Sequence, residues 1–277
     1  MIFNLPLITP LDKKNNIDFF SLEKLIFFIS NLKYLNNIIL FSEYSEFNTL
    51  SSNEKIDILN CILNNNIPNI NIILYIQNLI NYNDIIEIIN QKIYKNIFYI
   101  ILDYPNLNNK YIKNIFENFN KIFSKFKYLF FYINIKNKNY IKKKIFIKLK
   151  KKNKNFIGLI YKNLNFNIKK IKIIINNDLL ILNNYFKYNG IISSLFLFFF
   201  DYILKILEKR IINENYYNFI KFIKILSKIN YISGIKFLLY KNKIIKNFFM
   251  RLPCNNILNI KYYNLLESYY KKLNNLI

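Results

Sequence analysis

The stretch Asn155-Phe156-Ile157-Gly158-Leu159-Ile160-Tyr161-Lys162 (NFIGLIYK) carries an apolar run, FIGLIY, bounded by a polar residue at each end. A continuous apolar run of this length reads as a strand buried on both faces, which is the pattern of a parallel sheet. Similar runs occur along the chain at NLPLIT (Asn4 to Thr9), NIILFS (Asn37 to Ser42), INIILYI (Ile70 to Ile76) and IFYIIL (Ile97 to Leu102). The second half adds YLFFYINI (Tyr128 to Ile135), IKIIIN (Ile171 to Asn176) and GIISS (Gly190 to Ser194), so that eight strands are predicted.

Segments of helical period lie between these runs. Ser21 to Leu35 reads as a helix with Ser21 as N-cap and Glu23 in its first turn, and Ser52 to Asn64 as one with Ser52 as N-cap and Glu54 in its first turn. Tyr111 to Phe126 and Leu195 to Lys209 have the same apolar spacing. Sustained strand–helix alternation predicts an α/β protein, a closed (β/α)8 TIM barrel rather than an open sheet. After Asn213 the strands stop. Tyr216 to Lys228, Gly234 to Tyr240 and Leu258 to Leu273 are helical in pattern, so the expected division is a barrel over 1–213 and a small C-terminal helical domain over 214–277.

The composition narrows the chemistry. The 277 residues include no His and no Trp, only 3 Gly, and no Ala or Val. Asn, Ile, Lys, Tyr and Phe stand in their places, and their AT-rich codons point to a strongly AT-biased genome of the reduced endosymbiont kind. That bias bears on the net charge of +25. A basic balance ordinarily suggests nucleic acid or an anionic surface, but lysine is what drift supplies at exposed positions. The densest run, KKKIFIKLKKKNK (Lys142 to Lys154), has Ile and Leu at helical spacing and is expected to be a solvated helix face, a phosphate-binding surface being the alternative. Without His, a Ser-His-Asp triad or a His-ligated metal is excluded. Cys61 and Cys254 lie far apart with no His or Cys neighbours, so neither a zinc site nor a disulfide framework is expected. No signal peptide is recognisable, and LFLFFF (Leu195 to Phe200) is too short to span a bilayer, so a cytoplasmic protein with no membrane partner is expected.

In such barrels reactive groups sit at the carboxyl ends of the strands. Here those ends carry Thr9-Pro10-Leu11-Asp12, then Ser42 to Leu50, Asp103-Tyr104-Pro105, Tyr132-Ile133-Asn134, Ile160-Tyr161-Lys162 and Gly190-Ile191-Ile192-Ser193. In this order the features resemble dihydrodipicolinate synthase and its pyruvate-dependent class I aldolase relatives. Thr9-Pro10 is similar to the family's opening T-P; Glu46, Thr49, Leu50 and Glu54 to its G-T-T-G-E-x-x-T-L-x-x-x-E segment; Ile67-Pro68 to its I-P; and Pro105 to its T-P-Y-Y turn. Asn155, Ile157 and Gly158 resemble the strand that carries the imine lysine, Gly190-Ile191-Ile192-Ser193 the G-V-I-S segment, and Ile235-Lys236 and Arg251-Leu252-Pro253 the V-K and R-L-P of the tail.

The resemblance implies a lysine amine that attacks the ketone of pyruvate, the Schiff base then acting as the electron sink, so that no cofactor is expected. It further implies addition of the enamine to aspartate semialdehyde in lysine biosynthesis by the diaminopimelate route, proton relay by hydroxyls, and a homotetramer. Tyr132 stands at the proton donor beside the imine, and Ile192 at the residue whose backbone lies against pyruvate. The family's paired threonines correspond to Glu43 and Tyr44; a glutamate there would repel a carboxylate, whereas Tyr44 could donate a hydrogen bond. The paired tyrosines after Pro105 correspond to Asn106 and Leu107. For the arginine that receives the second substrate's carboxylate there are only Lys136 and Lys138.

The sharpest departure is at the nucleophile. With Gly158 in register, the imine lysine falls on Ile160, which has no amine. Lys162 shares a face with position 160 in a regular strand, offset by roughly 6.6 Å, and is the candidate replacement; burial beside apolar neighbours would lower its pKa usefully. Three expectations therefore stand together: a synthase of this kind with Lys162 as displaced nucleophile, a lyase of the sialic acid branch with another acceptor aldehyde, and a degenerate relative retained as a scaffold.

Overall fold

The computed structural model describes residues 1–65, 67–77, 97–103, 127–133, 147–148, 150–151, 154–161, 172–179, 182, 188–209, 213–252 and 260–274, with the backbone alone at 77, 97–100, 102–103, 127–133, 161 and 209. Eight strands are found among them: β1 (Ile2–Pro6), β2 (Asn37–Leu40), β3 (Asn71–Gln77), β4 (Ile97–Asp103), β5 (Lys127–Ile133), β6 (Gly158–Tyr161), β7 (Lys172–Ile175) and β8 (Gly190–Ile192). They neighbour one another in sequence order, and the sheet closes into a barrel. Closure is parallel, with Ile2 opposite Gly190, Phe3 opposite Ile191 and Asn4 opposite Ile192. The α/β barrel expected from the alternating pattern is thus the observed one. Isoleucine supplies much of it, since a stiff β-branched side chain suits a pleated, buried surface.

Individual boundaries move, for local reasons. The run NLPLIT extends to Thr9, but the strand ends at Pro6, although Leu7, Ile8 and Thr9 are all buried. Apolar character reports burial rather than strand pairing, and the ladder with β8 has already ended at Asn4. NIILFS stops at Leu40 because Phe41 takes a left-handed φ of 61°. Ser21 is not a cap. Helix α1 is Phe19–Ser30, capped by Asp18, whose Oδ1 accepts the Ser21 amide at 3.0 Å. Helix α2 is Ser52–Asn64, but its cap is Ser51, one residue earlier than expected. There a reciprocal capping box forms: Ser51 Oγ accepts the Glu54 amide at 3.3 Å, and the Ser51 amide donates to Glu54 Oε2 at 2.9 Å.

The remaining described helices are α3 (Phe196–Lys209), α4 (Glu214–Lys228), α5 (Tyr231–Lys241) and α6 (Ile260–Asn274). Asn213 caps α4 and Asn230 caps α5 through their side-chain oxygens. The helix expected over 111–126 lies outside the described residues. Within the lysine-rich run, residues 147–148 and 150–151 are helical, and Lys148 and Lys151 are exposed.

Contacts gather the chain into two units: one of residues 1–4, 35–42 and 71–193, and one of residues 5–34, 43–70 and 194–277. The first holds the barrel strands, apart from Leu5 and Pro6 at the end of β1. A chain of side-chain amides crosses it: Asn71 Nδ2 donates to Asn37 Oδ1 at 3.0 Å, Asn37 Nδ2 to Asn4 Oδ1 at 2.8 Å, and Asn4 Nδ2 to the Ile191 carbonyl at 2.9 Å. Buried polar groups are tolerable when joined in this way. Gly190 is required by a close approach, since a Cβ there would lie 2.8 Å from the Ile2 carbonyl oxygen.

The second unit holds the six helices. Phe199 of α3 meets Phe219 and Phe222 of α4 and Tyr270 of α6 edge-on, with ring centroids 5.1 to 5.7 Å apart, an arrangement favoured by the ring quadrupole. Helices α4 and α5 come so close that a Cβ on Gly234 would lie 2.5 Å from Leu226 Cδ2.

Candidate functional site

Within the barrel, β5 and β6 pair with Tyr132 opposite Ile160, and β6 and β7 with Ile160 opposite Ile174. The backbone therefore brings the expected proton-donor position next to the expected imine position. Ile160 itself is only 1% exposed. Its side chain offers neither nucleophile nor proton, so position 160 is filled with hydrocarbon. Ile192, on β8, is buried and pairs with Asn4. The next residue, Ser193, donates its amide to the Asn4 carbonyl at 3.1 Å and its hydroxyl to Asp178 Oδ1 at 2.5 Å. Asp178 follows β7; its signal in the sequence is a carboxylate just past a strand end. Lys162, Lys136 and Lys138 lie outside the described residues, as do Tyr104 to Leu107, and of Tyr132 the backbone alone is described.

In the other unit, Tyr44 belongs to a 3-10 turn, Glu43–Ser45, followed by a second one, Phe47–Thr49. Its half-buried ring stands edge-on to Tyr231 at the start of α5, centroids 5.5 Å apart. Glu46 joins the two turns in a left-handed conformation, φ 56°. Such a backbone is costly for a residue with a side chain and persists where its surroundings hold it. Here they do. Glu46 Oε1 is paired with Lys236 Nζ of α5, and Oε2 accepts the Arg251 amide at 2.9 Å. The Glu46 carbonyl accepts the Thr49 hydroxyl at 2.8 Å and the Thr49 amide at 2.9 Å. Lys236 Nζ also donates to the Phe249 carbonyl at 2.8 Å.

Arg251 extends this network. Its guanidinium donates to the Thr49 carbonyl at 2.9 Å, to Glu54 Oε1 at 2.5 Å and to Oε2 at 3.0 Å, while Nε donates to the Asn15 carbonyl at 2.8 Å. The Arg251 guanidinium, helped by the Ser51 amide, holds the Glu54 carboxyl down to about 2. Reciprocally, Glu54 raises the pKa of Arg251. Glu46, Thr49, Glu54, Lys236 and Arg251, scattered through three motif fragments in sequence, are thus one connected group. None of its charged atoms is left for chemistry. In the sequence Lys236 carries only a motif match; a lone lysine inside the apolar run Ile235 to Leu239 is the signal of a buried, paired charge.

The other strand-end residues considered also have structural work. Thr9 donates its hydroxyl to the Ser45 carbonyl at 3.0 Å. Asp12 closes its own surface turn through the amides of Lys14 and Asn16. No group of three or more potential metal ligands occurs among the described residues, and none of the helices described is long and apolar enough to cross a membrane.

Comparison with known proteins gives one match in sequence: 43% identity over 58 residues to a 4-hydroxy-tetrahydrodipicolinate synthase of Karelsulcia muelleri (strain GWSS). That stretch is 21% of this chain and 19% of the relative. No family model matches. In structure, the chain is similar to N-acetylneuraminate lyase from Fusobacterium nucleatum, with a TM-score of 0.77, 17% identity and 98% of each chain covered. It is similar to the Aliivibrio salmonicida lyase, with a TM-score of 0.80, 16% identity, and coverage of 99% of this chain and 96% of that one. A Pseudomonas aeruginosa protein assigned as a dihydrodipicolinate synthetase gives 0.79 and 14%, with 98% and 99% covered. At these identities the structural likeness shows the fold. The resemblance to the dihydrodipicolinate synthase and N-acetylneuraminate lyase family therefore holds over a short stretch of sequence and over the barrel architecture.

Proposed function

We propose that the protein is a Schiff-base-forming lyase of the dihydrodipicolinate synthase kind, which condenses pyruvate with aspartate semialdehyde for lysine biosynthesis. The observation that carries this reading is the pairing of Tyr132 with position 160 across β5 and β6. In this reading the Lys162 amine adds to the C2 ketone of pyruvate and water leaves to give the imine. Loss of a C3 proton then gives the enamine, whose C3 bonds to the aldehyde carbon of the acceptor. Tyr132 transfers the proton at the imine, Tyr44 supplies the hydroxyl of the missing threonine, the Ile192 backbone lies against pyruvate, and Lys136 receives the acceptor's carboxylate. A barrel over 1–213, a helical domain over 214–277, a homotetramer and a cytoplasmic setting belong to the same reading. Borohydride reduction in the presence of pyruvate, followed by peptide mass spectrometry, tests it: a pyruvyl adduct on Lys162 is expected, and no adduct on any lysine refutes it.

Two further readings have an observation each. The isoleucine at position 160, buried to 1% exposure, favours a chain that folds and assembles without catalysing; retained oligomerisation without pyruvate binding is its mark. The similarity in fold to two N-acetylneuraminate lyases favours a different acceptor aldehyde, which activity over a panel of aldehydes would reveal.

A further inference from the structure

We infer that helix α5 positions Tyr44 through the buried Lys236–Glu46 pair, so that Lys236 and Glu46 are positioning residues for the loop over residues 43–50. The inference deepens the reading of Tyr44 as a site residue and rests on it only for the word site; the mechanical link stands on geometry alone.

The loop is short, and its two 3-10 turns are joined at Glu46. Helix α5 touches it at two points, on one side of that junction and at the junction itself. Tyr231, at the helix start, packs edge-on against Tyr44. Lys236, in the helix middle, pairs with Glu46, the side chains being 0% and 1% exposed. The carboxylate has a second tether at the Arg251 amide, and Arg251 in turn holds the Thr49 carbonyl at the far end of the second turn. The backbone of the loop is therefore held at Glu46 and Thr49 by residues about 190 to 205 positions away in sequence. Glu46 is the residue whose left-handed φ sets how the first turn, with Tyr44, is aimed. When Lys236 is removed the carboxylate is buried without its cation, and the favourable response is for the loop to carry it towards water. Tyr44 then loses its place against Tyr231.

The absence of Trp from the sequence supplies a clean test. In a Tyr44→Trp background the single indole reports the loop's exposure through acrylamide quenching, with no substrate present. Adding Lys236→Met is expected to raise the quenching constant severalfold at a temperature where circular dichroism and a cooperative melt show a folded protein, and Glu46→Gln with Lys236→Met, which strands no charge, to raise it less. Asn37→Ala, in the buried amide chain of the barrel, serves as a control that lowers stability elsewhere and is expected to leave quenching unchanged. Where Lys236→Met prevents folding, Glu46→Gln alone retains the shape and is expected to give a smaller rise. Quenching equal to that of the Tyr44→Trp parent in folded Lys236 or Glu46 variants overturns the inference, and so does an equal rise in the Asn37 control. Because no pyruvate is used, failure of borohydride trapping with a normal quenching response would remove the catalytic reading and leave this one standing.

Discussion

Lys236 and Glu46, 190 residues apart in sequence, form an ion pair whose side chains are at most 1% exposed. A pair so buried is tolerated because the second carboxylate oxygen and the amine each have a further partner: the Arg251 amide on one side and the Phe249 carbonyl on the other. Coulomb attraction alone seldom offsets the desolvation of two ions.

Truncating Lys236 to Met is therefore expected to cost about 3–5 kcal/mol, the range for stranding one member of a buried pair. Glu46→Gln with Lys236→Met should recover a large part of that loss, because no charge is left stranded. Urea denaturation of both variants measures the difference; equal midpoints for Lys236→Met and the parent would contradict it.

Glu54 makes a pH-dependent contribution. Its folded-state pKa, held at about 2, lies below the value in the unfolded chain. The stability it contributes is therefore fully present above the unfolded value of roughly 4.3 and is lost as pH falls through the folded value. Stability followed by urea midpoints should decline between those limits, and the decline should be shallower in Glu54→Gln. An identical acid limb in the two proteins would remove Glu54 as a cause.

Position 160 offers a gain-of-function experiment. Ile160→Lys sets an amine beside Tyr132 in the paired strands, where burial would lower its pKa and leave more of it unprotonated at neutral pH. A new borohydride-trapped pyruvyl adduct on residue 160 is expected, at some loss of thermal stability. In the parent, Lys162→Arg should abolish trapping while conserving charge. An adduct that persists in Lys162→Arg would place the nucleophile elsewhere.

Barrel closure depends on Gly190. An alanine Cβ would stand 2.8 Å from the Ile2 carbonyl oxygen and 3.1 Å from Ile174 Cγ1. With backbone on one side, neither neighbour can easily yield, so Gly190→Ala should cost about 1–3 kcal/mol. A melting temperature unchanged from the parent would show that β1 and β8 have slack.

The buried amide chain gives a complementary case. Asn37→Ala removes the donor to Asn4 Oδ1 and the acceptor for Asn71 Nδ2. The Asn4 oxygen, buried within the barrel, is then unsatisfied, at a cost of about 1–3 kcal/mol. Thermal melts of the variant would show this, and a loss within error of zero would mean that water replaces the side chain.

What the amino-acid sequence determined by itself is what neighbours along the chain control. Apolar runs of strand length and segments of helical period placed eight strands and most of the described helices, because those periods follow from backbone geometry. Even there, Asp18 rather than Ser21 and Ser51 rather than Ser52 cap their helices, since a cap depends on which side chain reaches the free amides. The resemblance in strand β6 was legible too, and with it that the position expected to carry the imine lysine holds Ile160. Tertiary structure alone decided that Glu46, Thr49, Glu54, Lys236 and Arg251 are one network. Hydrogen bonds and ion pairs act over a few ångströms in space, and no local pattern says which residues 190 positions apart the fold will bring within that reach.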